Sequence, residues 1–314
     1  MATTVNSDLI IYNDLAQTSY LERVQDNIAV FNAASNGAII LSDENIEGDF
    51  RKRAFYKIGG EITHRDVNST ATITGKKIGA SEMVGVKVPF KYGPYEMTEE
   101  SLKRRARSVE EFSELVGRDY AEALIQGYFQ YAAAALTGAI GTNSAMKVKA
   151  KFSEHGKKVL TKGMRQFGDK FERIAIWVMN SDTYFDLVED AIGQKIFGEV
   201  DQVIYGGTPG TMGRPVLVSD KAANDTIFGL QAGAVEITNS QVPTFRAYQM
   251  NDMENLTTGI RAEGTFNIDV LGYSYKTTAG ANPNLATVGA TASWEKYATS
   301  NKNTAGVIID VSET

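Results

Sequence analysis

Catalysis needs polar groups that converge with matched protonation states, and residues suited to that work are sparse in this sequence. The two histidines, His64 and His155, are far apart, and neither belongs to an HExxH pattern. The chain has no cysteine, which excludes a thiolate zinc site and a disulfide framework. The glycine-rich stretch GGTPGTMG after QVIY resembles a phosphate-cradling loop, but the RPVLVSD that follows reads as a strand. Without a helix N-terminus the loop lacks aligned N–H groups, and GxxxxGK[ST] does not occur, so a tight turn between strands is expected. The acidic pairs Glu99 and Glu100, Glu110 and Glu111, and Glu189 and Asp190 fall at helix starts or on outer faces, where they complement the dipole or meet water. These residues assign no catalytic, cofactor or metal site, and the chain is not expected to be an enzyme.

The basic residues are more informative. Lys103, Arg104, Arg105 and Arg107 end a short predicted helix opened by Thr98 and immediately precede a long one. Cations favour a helix C-terminus. Three readings stay open: a solvated cap, an ion-pair seam with a neighbouring subunit, or contact with nucleic acid. Lys76 and Lys77 lie near the tip of a predicted loop and join the same group of candidate intersubunit contacts.

The elements that carry these residues follow from periodicity. From Ser7 to about Asn32, the residues Leu9, Ile10, Leu15, Tyr20, Leu21, Val24, Ile28 and Phe31 recur at helical spacings, giving an arm of one or two amphipathic helices. The arm packs either on its own domain or on a neighbour. Residues 54–98 hold two strands, AFYKIGGEITHRDV and MVGVKVPFKYGPYEM, joined by the polar stretch NSTATITGKKIGASE. Val84, Val86, Val88, Phe90 and Tyr92 share one face, opposite Gly85, Lys87, Pro89 and Lys91. Pro89 cannot donate to a ladder, so the strand is expected at an edge or in a two-stranded ribbon. A long isolated hairpin is marginally stable, so it either projects to a partner or folds back on its own domain.

The clearest single element begins at Ser108, where Ser108 and Glu111 fit a capping box. Val109, Phe112, Val116, Tyr120, Leu124, Tyr128 and Tyr131 then form a stripe, and Gly138 and Gly141 are expected to stop the helix. At about 30 residues, this rod is long enough to brace a whole subunit. The run Ala132 to Ala135 and the interior Gly117 and Gly127 argue against a coiled coil. A stretch with Met164, Phe167 and Phe171 follows. RIAIWVMNSDTYFDLVEDAIGQ then reads as a buried strand, a cap at Asn180 or Ser181, and a helix whose inner face carries Tyr184, Leu187, Val188 and Ala191. Short strands come next, and then long ones with Phe266, Ile268, Val270, Tyr273 and Tyr275 at period two, returning beside the long helix.

At 314 residues the chain suggests two linked domains with extended arms and an α+β fold. A charged fraction of 22% and a net charge of -6 argue against a polyanion-gripping surface. The start MATTVNSDLI lacks a signal-peptide pattern, and no apolar run approaches a membrane span. A soluble protein made inside the cell is expected, with no membrane partner. The 29 glycines and 6 prolines suggest many tight turns and no rigid linker.

The order of elements, with the segments QFGDKFERIAIWVMNSDTYFDLVED, GTPGTMGRPVLVSD and NPNLATVGATASWEKY, resembles the major capsid protein family of tailed bacteriophages, the Hong Kong 97-type fold. The carrying residues are Phe167 to Asp169, Val178 and Met179; Gly213, Arg214, Pro215 and Asp220; and Asn282, Pro283 and Trp294. The resemblance implies an N-terminal arm at 1–50, an E-loop at 51–98 and a P-domain with a spine helix at 99–171. It also implies an A-domain at 172–245, and P-domain return strands with a C-terminal segment at 246–314. It implies an icosahedral head shell of pentamers and hexamers enclosing double-stranded DNA with weak contact, assembled in the host bacterial cytoplasm. A portal is implied as partner. About 50 residues before the loop strands leave no room for a cleavable scaffolding region, so a separate scaffolding protein is expected. An encapsulin-like nanocompartment shell shares the fold and is the alternative, with a soluble α/β enzyme as the second.

Overall fold

Among the described residues the apolar periodicities resolve into two main sheets and one two-stranded pair, braced by one long helix. The computed structural model describes residues 32–312, apart from 34, 58–61, 63, 71, 73–74, 76–78, 105–108, 157, 194–210, 212, 241–242 and 251–253. In chain order the first half contains β1 (Ile39–Asp43), β2 (Phe50–Lys57), β3 (Gly79–Thr98), α1 (Glu99–Arg104), α2 (Val109–Gly141) and β4 (Lys147–Lys149). Two short helices, α3 (Phe152–His155) and α4 (Lys158–Arg165), lead into β5 (Ile174–Met179) and α5 (Ser181–Gly193). The second half contains β6 (Val216–Val218), β7 (Thr226–Gln231), β8 (Val235–Asn239), β9 (Thr244–Met250), β10 (Thr257–Val270), β11 (Tyr273–Tyr275), α6 (Leu285–Gly289), β12 (Trp294–Lys296) and β13 (Gly306–Asp310).

The larger sheet runs β1-β8-β10-β3-β2, with β9 on the other part of β10. β3 has two partners in succession. Residues from Gly79 to Val86 pair with β2, and residues from Val86 to Thr98 pair with β10. The loop hairpin is therefore a direct extension of the body sheet. Pro89 lies beyond the end of β2, where β3 has β10 on one side, so its missing N–H leaves no gap in a ladder.

The alternation read for β3 holds on one face: Val84, Val86, Val88 and Tyr92 are buried and Phe90 is half-buried. The opposite face departs from expectation. Pro89 and Lys91 are exposed, but Gly85 and Lys87 are buried. Segment 44–49 covers Lys87, whose ammonium donates to the Ile46 carbonyl and whose amide donates to Asp49 O at 3.2 Å, and the side chains of Asp269 and Asn267 cover Gly85.

The spine helix α2 spans 33 residues, about 50 Å at 1.5 Å per residue. Val116, Tyr120, Leu124 and Tyr128 are buried along the expected stripe, and Tyr131 is half-buried. Near its end the helix is covered on most sides, with Ala132, Ala133, Ala135, Leu136, Ala139 and Ile140 all buried. This explains the alanine run, since small side chains let several elements approach one helix. Gly138 does not stop the helix, which continues to Gly141. A Cβ on Gly138 would lie 2.7 Å from Val288 O and 2.9 Å from the Trp294 ring, so this glycine is a close-packing position. The Ser108–Glu111 capping box, the N-terminal helices and most of GGTPGTMG lie outside the described residues.

The smaller sheet runs β4-β13-β7-β5-β6. β5 is buried, and Asn180 caps α5, its side-chain oxygen accepting from the Asp182 amide at 3.0 Å. Leu187 is buried on the inner face of α5, with Tyr184 and Val188 half-buried. β13 lies between β7 and β4, so the last described strand and a strand just after α2 complete a sheet begun by β5.

Candidate functional site

The residues that carry the resemblance are structural. Gly168 and Gly213 have positive φ at turns, and the Arg214 guanidinium donates to Ile174 O and to Phe171 O, the latter at 3.0 Å. Asp169 forms an ion pair with Lys302, which holds its carboxyl below the usual range. Trp294 Nε1 donates to Val288 O at 2.7 Å. Together these contacts tie the turn before β6 to the start of β5, the turn before β5 to residue 302, and β12 to α6.

The residues suited to acid–base or metal chemistry do not converge. His64 is exposed on the loop, while His155 is half-buried with Nε2 beside the Lys162 ammonium and 3.6 Å from Glu154. Among the described residues, no group of three or more His, Cys, Asp or Glu is placed to hold a metal ion. Nor, among them, is any helix long and apolar enough to cross a membrane. Glu99 and Glu100 open α1, as expected from the helix dipole.

Three surfaces could instead do assembly work. The first is the loop between β2 and β3, where Ile62 and Val67 are exposed, at 103% and 76%. Lys76 and Lys77 lie outside the described residues. The second is α1, where Thr98 Oγ1 accepts from the Ser101 amide at 3.4 Å and Arg104 pairs with Glu100 at 2.9 Å. Arg104 is exposed there. The Lys103 side chain, Arg105 and Arg107 lie outside the described residues. The third is a groove of about 380 Å³ between β3 and α2, lined by Phe90, Tyr92, Tyr120, Leu124, Tyr128 and Phe266. Within it the Tyr92 hydroxyl donates to Asp119, and burial with this carboxylate neighbour holds its pKa far up. The Tyr128 hydroxyl donates to Asn239 on β8, whose amide donates to Asp43 at 2.6 Å, linking spine, sheet and β1.

A polar cluster missed in the sequence sits at the root of the hairpin. Arg51 Nη1 lies 3.2 Å from Asp269 Oδ2 and 3.3 Å from Glu236 Oε1, and Nη2 meets Glu44. Arg53 adds a contact to Glu236 at 3.4 Å. Asp269 is buried and its carboxyl is pushed up by desolvation, an effect that Arg53 and Arg51 partly oppose. The sequence offered no signal for this cluster because its members come from four separate segments.

Compared with known families, residues 8–308 match the one described as major capsid protein 13-like. The chain belongs to that family. Among solved structures it is similar to the capsid asymmetric unit of cyanophage Pam1, at 10% identity and a TM-score of 0.51, covering 89% of this chain and 90% of that one. It is also similar to a structure from Mycobacterium phage Adephagia, at 12% identity and a TM-score of 0.53, covering 87% and 89%. A structure from Microbacterium phage Oxtober96 matches at 11% identity and a TM-score of 0.52, covering 76% and 84%. A search of curated protein sequences finds no match. This major capsid protein has the Hong Kong 97-type fold expected from its element order, and it is a phage head-shell protein and not an enzyme. Neither the nanocompartment shell nor the α/β enzyme is favoured. Its place is the virion capsid, where it assembles with copies of itself.

Proposed function

We propose that this subunit builds an icosahedral shell of pentamers and hexamers by laying the loop of segment 51–98 over a neighbouring copy. The observation that supports this reading is the pair of apolar side chains, Ile62 and Val67, held in solvent at the end of a hairpin whose strand β2, among the described residues, pairs only with β3. Apolar groups so placed gain by burial on a partner. The test is replacement of residues 60–77 by a short Gly-Ser turn. The edit stops before Gly79, because Gly79–Ser81 already pair with β2. A folded subunit that forms no stable shells by electron microscopy is the expected result, and normal particles would sink the reading.

In the same scheme segment 1–50 is the arm, 99–171 and 246–314 form the P-domain, and 172–245 is the A-domain, meeting its copies around the symmetry axes. Lys103, Arg104, Arg105 and Arg107 supply an ion-pair seam, with Lys76 and Lys77 at the loop tip as further contacts. The exposed Arg104–Glu100 pair is weak enough to exchange for a partner's carboxylate. The net charge of -6 suits loose contact with the enclosed double-stranded DNA. A separate scaffolding protein and a portal complete the partners, with assembly in the host bacterial cytoplasm. Expansion would be a rigid-body reorientation of the domains about arm and loop.

A further inference from the structure

We infer that Arg51, reaching through a gap left by Gly85, latches the root of the β2–β3 hairpin to the body sheet and fixes the direction in which the loop projects. The inference rests on reading segment 51–98 as the projecting loop. The geometry comes from one row across four strands. Arg51 on β2 is opposite Gly85 on β3. Two residues on from the Asn267–Lys87 pairing, β10 places Asp269 beside Gly85, and Asp269 is opposite Glu236 on β8. A Cβ on Gly85 would lie 2.0 Å from Asp269 Oδ1 and 2.9 Å from Asn267 Nδ2. Any other residue there would close the passage by which the guanidinium crosses β3.

Arg51 uses that passage fully. Its Nη1 contacts Asp269, Glu236 and, at 3.4 Å, Thr238 Oγ1, while Nη2 contacts Glu44. Arg53 and the buried Lys87 ammonium are the other cations facing the cluster, and Lys87 is committed to Ile46 O. Among the described residues Asp269 Oδ1 has no hydrogen-bond partner, so the carboxylate depends on Arg51 and on Asn267 Nδ2 at 2.8 Å. Among the described residues β2 has no backbone ladder to β10 or β8, so these charge contacts tie its polar face to the body. A guanidinium holds several carboxylates at once with five donors spread over a rigid planar fork, whereas a lysine ammonium offers three donors from a single point. The other face of the root is held independently: Phe50 stacks on Tyr275 with centroids 6.4 Å apart, and the Val84 amide donates to Ser274 Oγ at 2.9 Å. Loss of the latch should therefore free the hairpin's angle without unfolding the subunit.

The chain has no cysteine, so spin labels can be placed at Val67→Cys on the loop and Glu263→Cys on β10 without background. Pulsed electron paramagnetic resonance on the unassembled subunit should give one narrow distance distribution, broadened at least twofold by Arg51→Met and less by Arg51→Lys. Asp269→Asn, which keeps the side chain's shape, should also broaden it and serves if Arg51→Met fails to fold. Distributions of parental width in both Arg51→Met and Asp269→Asn would overturn the latch. That outcome is separate from the loop reading, which fails only if shells form normally after the 60–77 replacement.

Discussion

Gly127 and Gly138 lie on the same helix and look alike in sequence, yet their surroundings give opposite expectations. Nothing lies within 4 Å of a Cβ added at Gly127. Alanine there should stabilise the subunit by up to about 1 kcal/mol, the ordinary helix-propensity gain. At Gly138 an added methyl meets a carbonyl and the indole of Trp294, which is fixed by its own hydrogen bond to Val288 O. Overpacking against backbone costs about 1–3 kcal/mol, enough to reverse the sign. Chemical denaturation of both single variants checks the pair, and a stabilised Gly138→Ala would show that α6 and Trp294 can move aside. The sequence showed Gly138 near the helix end and suggested a stop, because a glycine's neighbours from residues 288–294 leave no trace in the local pattern. The same limit hid Gly85, whose use depends on Arg51 and Asp269 in other strands.

Long elements with a dominant period were legible. The spine helix, the alternating β3 and the capped α5 all announced themselves by spacings of three and four, by period two, or by Asn180. The partners of those elements were less so. β1 pairs in parallel with β8, residues nearly two hundred positions away, and no short-range signal encodes that register. What joins spine to sheet is a cluster of rings centred on Phe266, with centroids 5.0 Å from Tyr128, 5.4 Å from Tyr131 and 5.8 Å from Phe90. Each residue was visible as an inward position on its own element, but their meeting was not. Phe266→Ala removes the ring common to all three contacts and should cost about 3–5 kcal/mol. Thermal melting of the unassembled subunit measures this. A loss below about 1 kcal/mol would mean that the tyrosines of α2 pack on β3 without the bridge.

On the scale of the whole molecule, the two main sheets are closed by strands distant in sequence, which makes completion of the smaller one depend on β13. β13 pairs antiparallel with β7 and parallel with β4, and its Val307, Ile308 and Ile309 are buried. Gly306 adds a constraint, since a Cβ there would lie 2.2 Å from Gly229 O, so the strand enters where the two backbones nearly touch. Without β13 the helix α4 loses its apolar cover, and β7 and β4 each lose a ladder. An exposed strand edge beside uncovered apolar surface promotes pairing with other chains instead of correct assembly. A chain ending at Thr304 is therefore expected in the insoluble fraction, while the full chain remains soluble under the same expression conditions. Ile309→Asp tests the same dependence with the backbone intact, because burying an unpaired carboxylate beside Gly163 and α4 is strongly unfavourable. If the truncated chain stays soluble and melts cooperatively, the smaller sheet closes on β7, β5 and β6 without β13; a cooperative melt of Ile309→Asp at the parental temperature would show that this position tolerates a charge and is not part of the core.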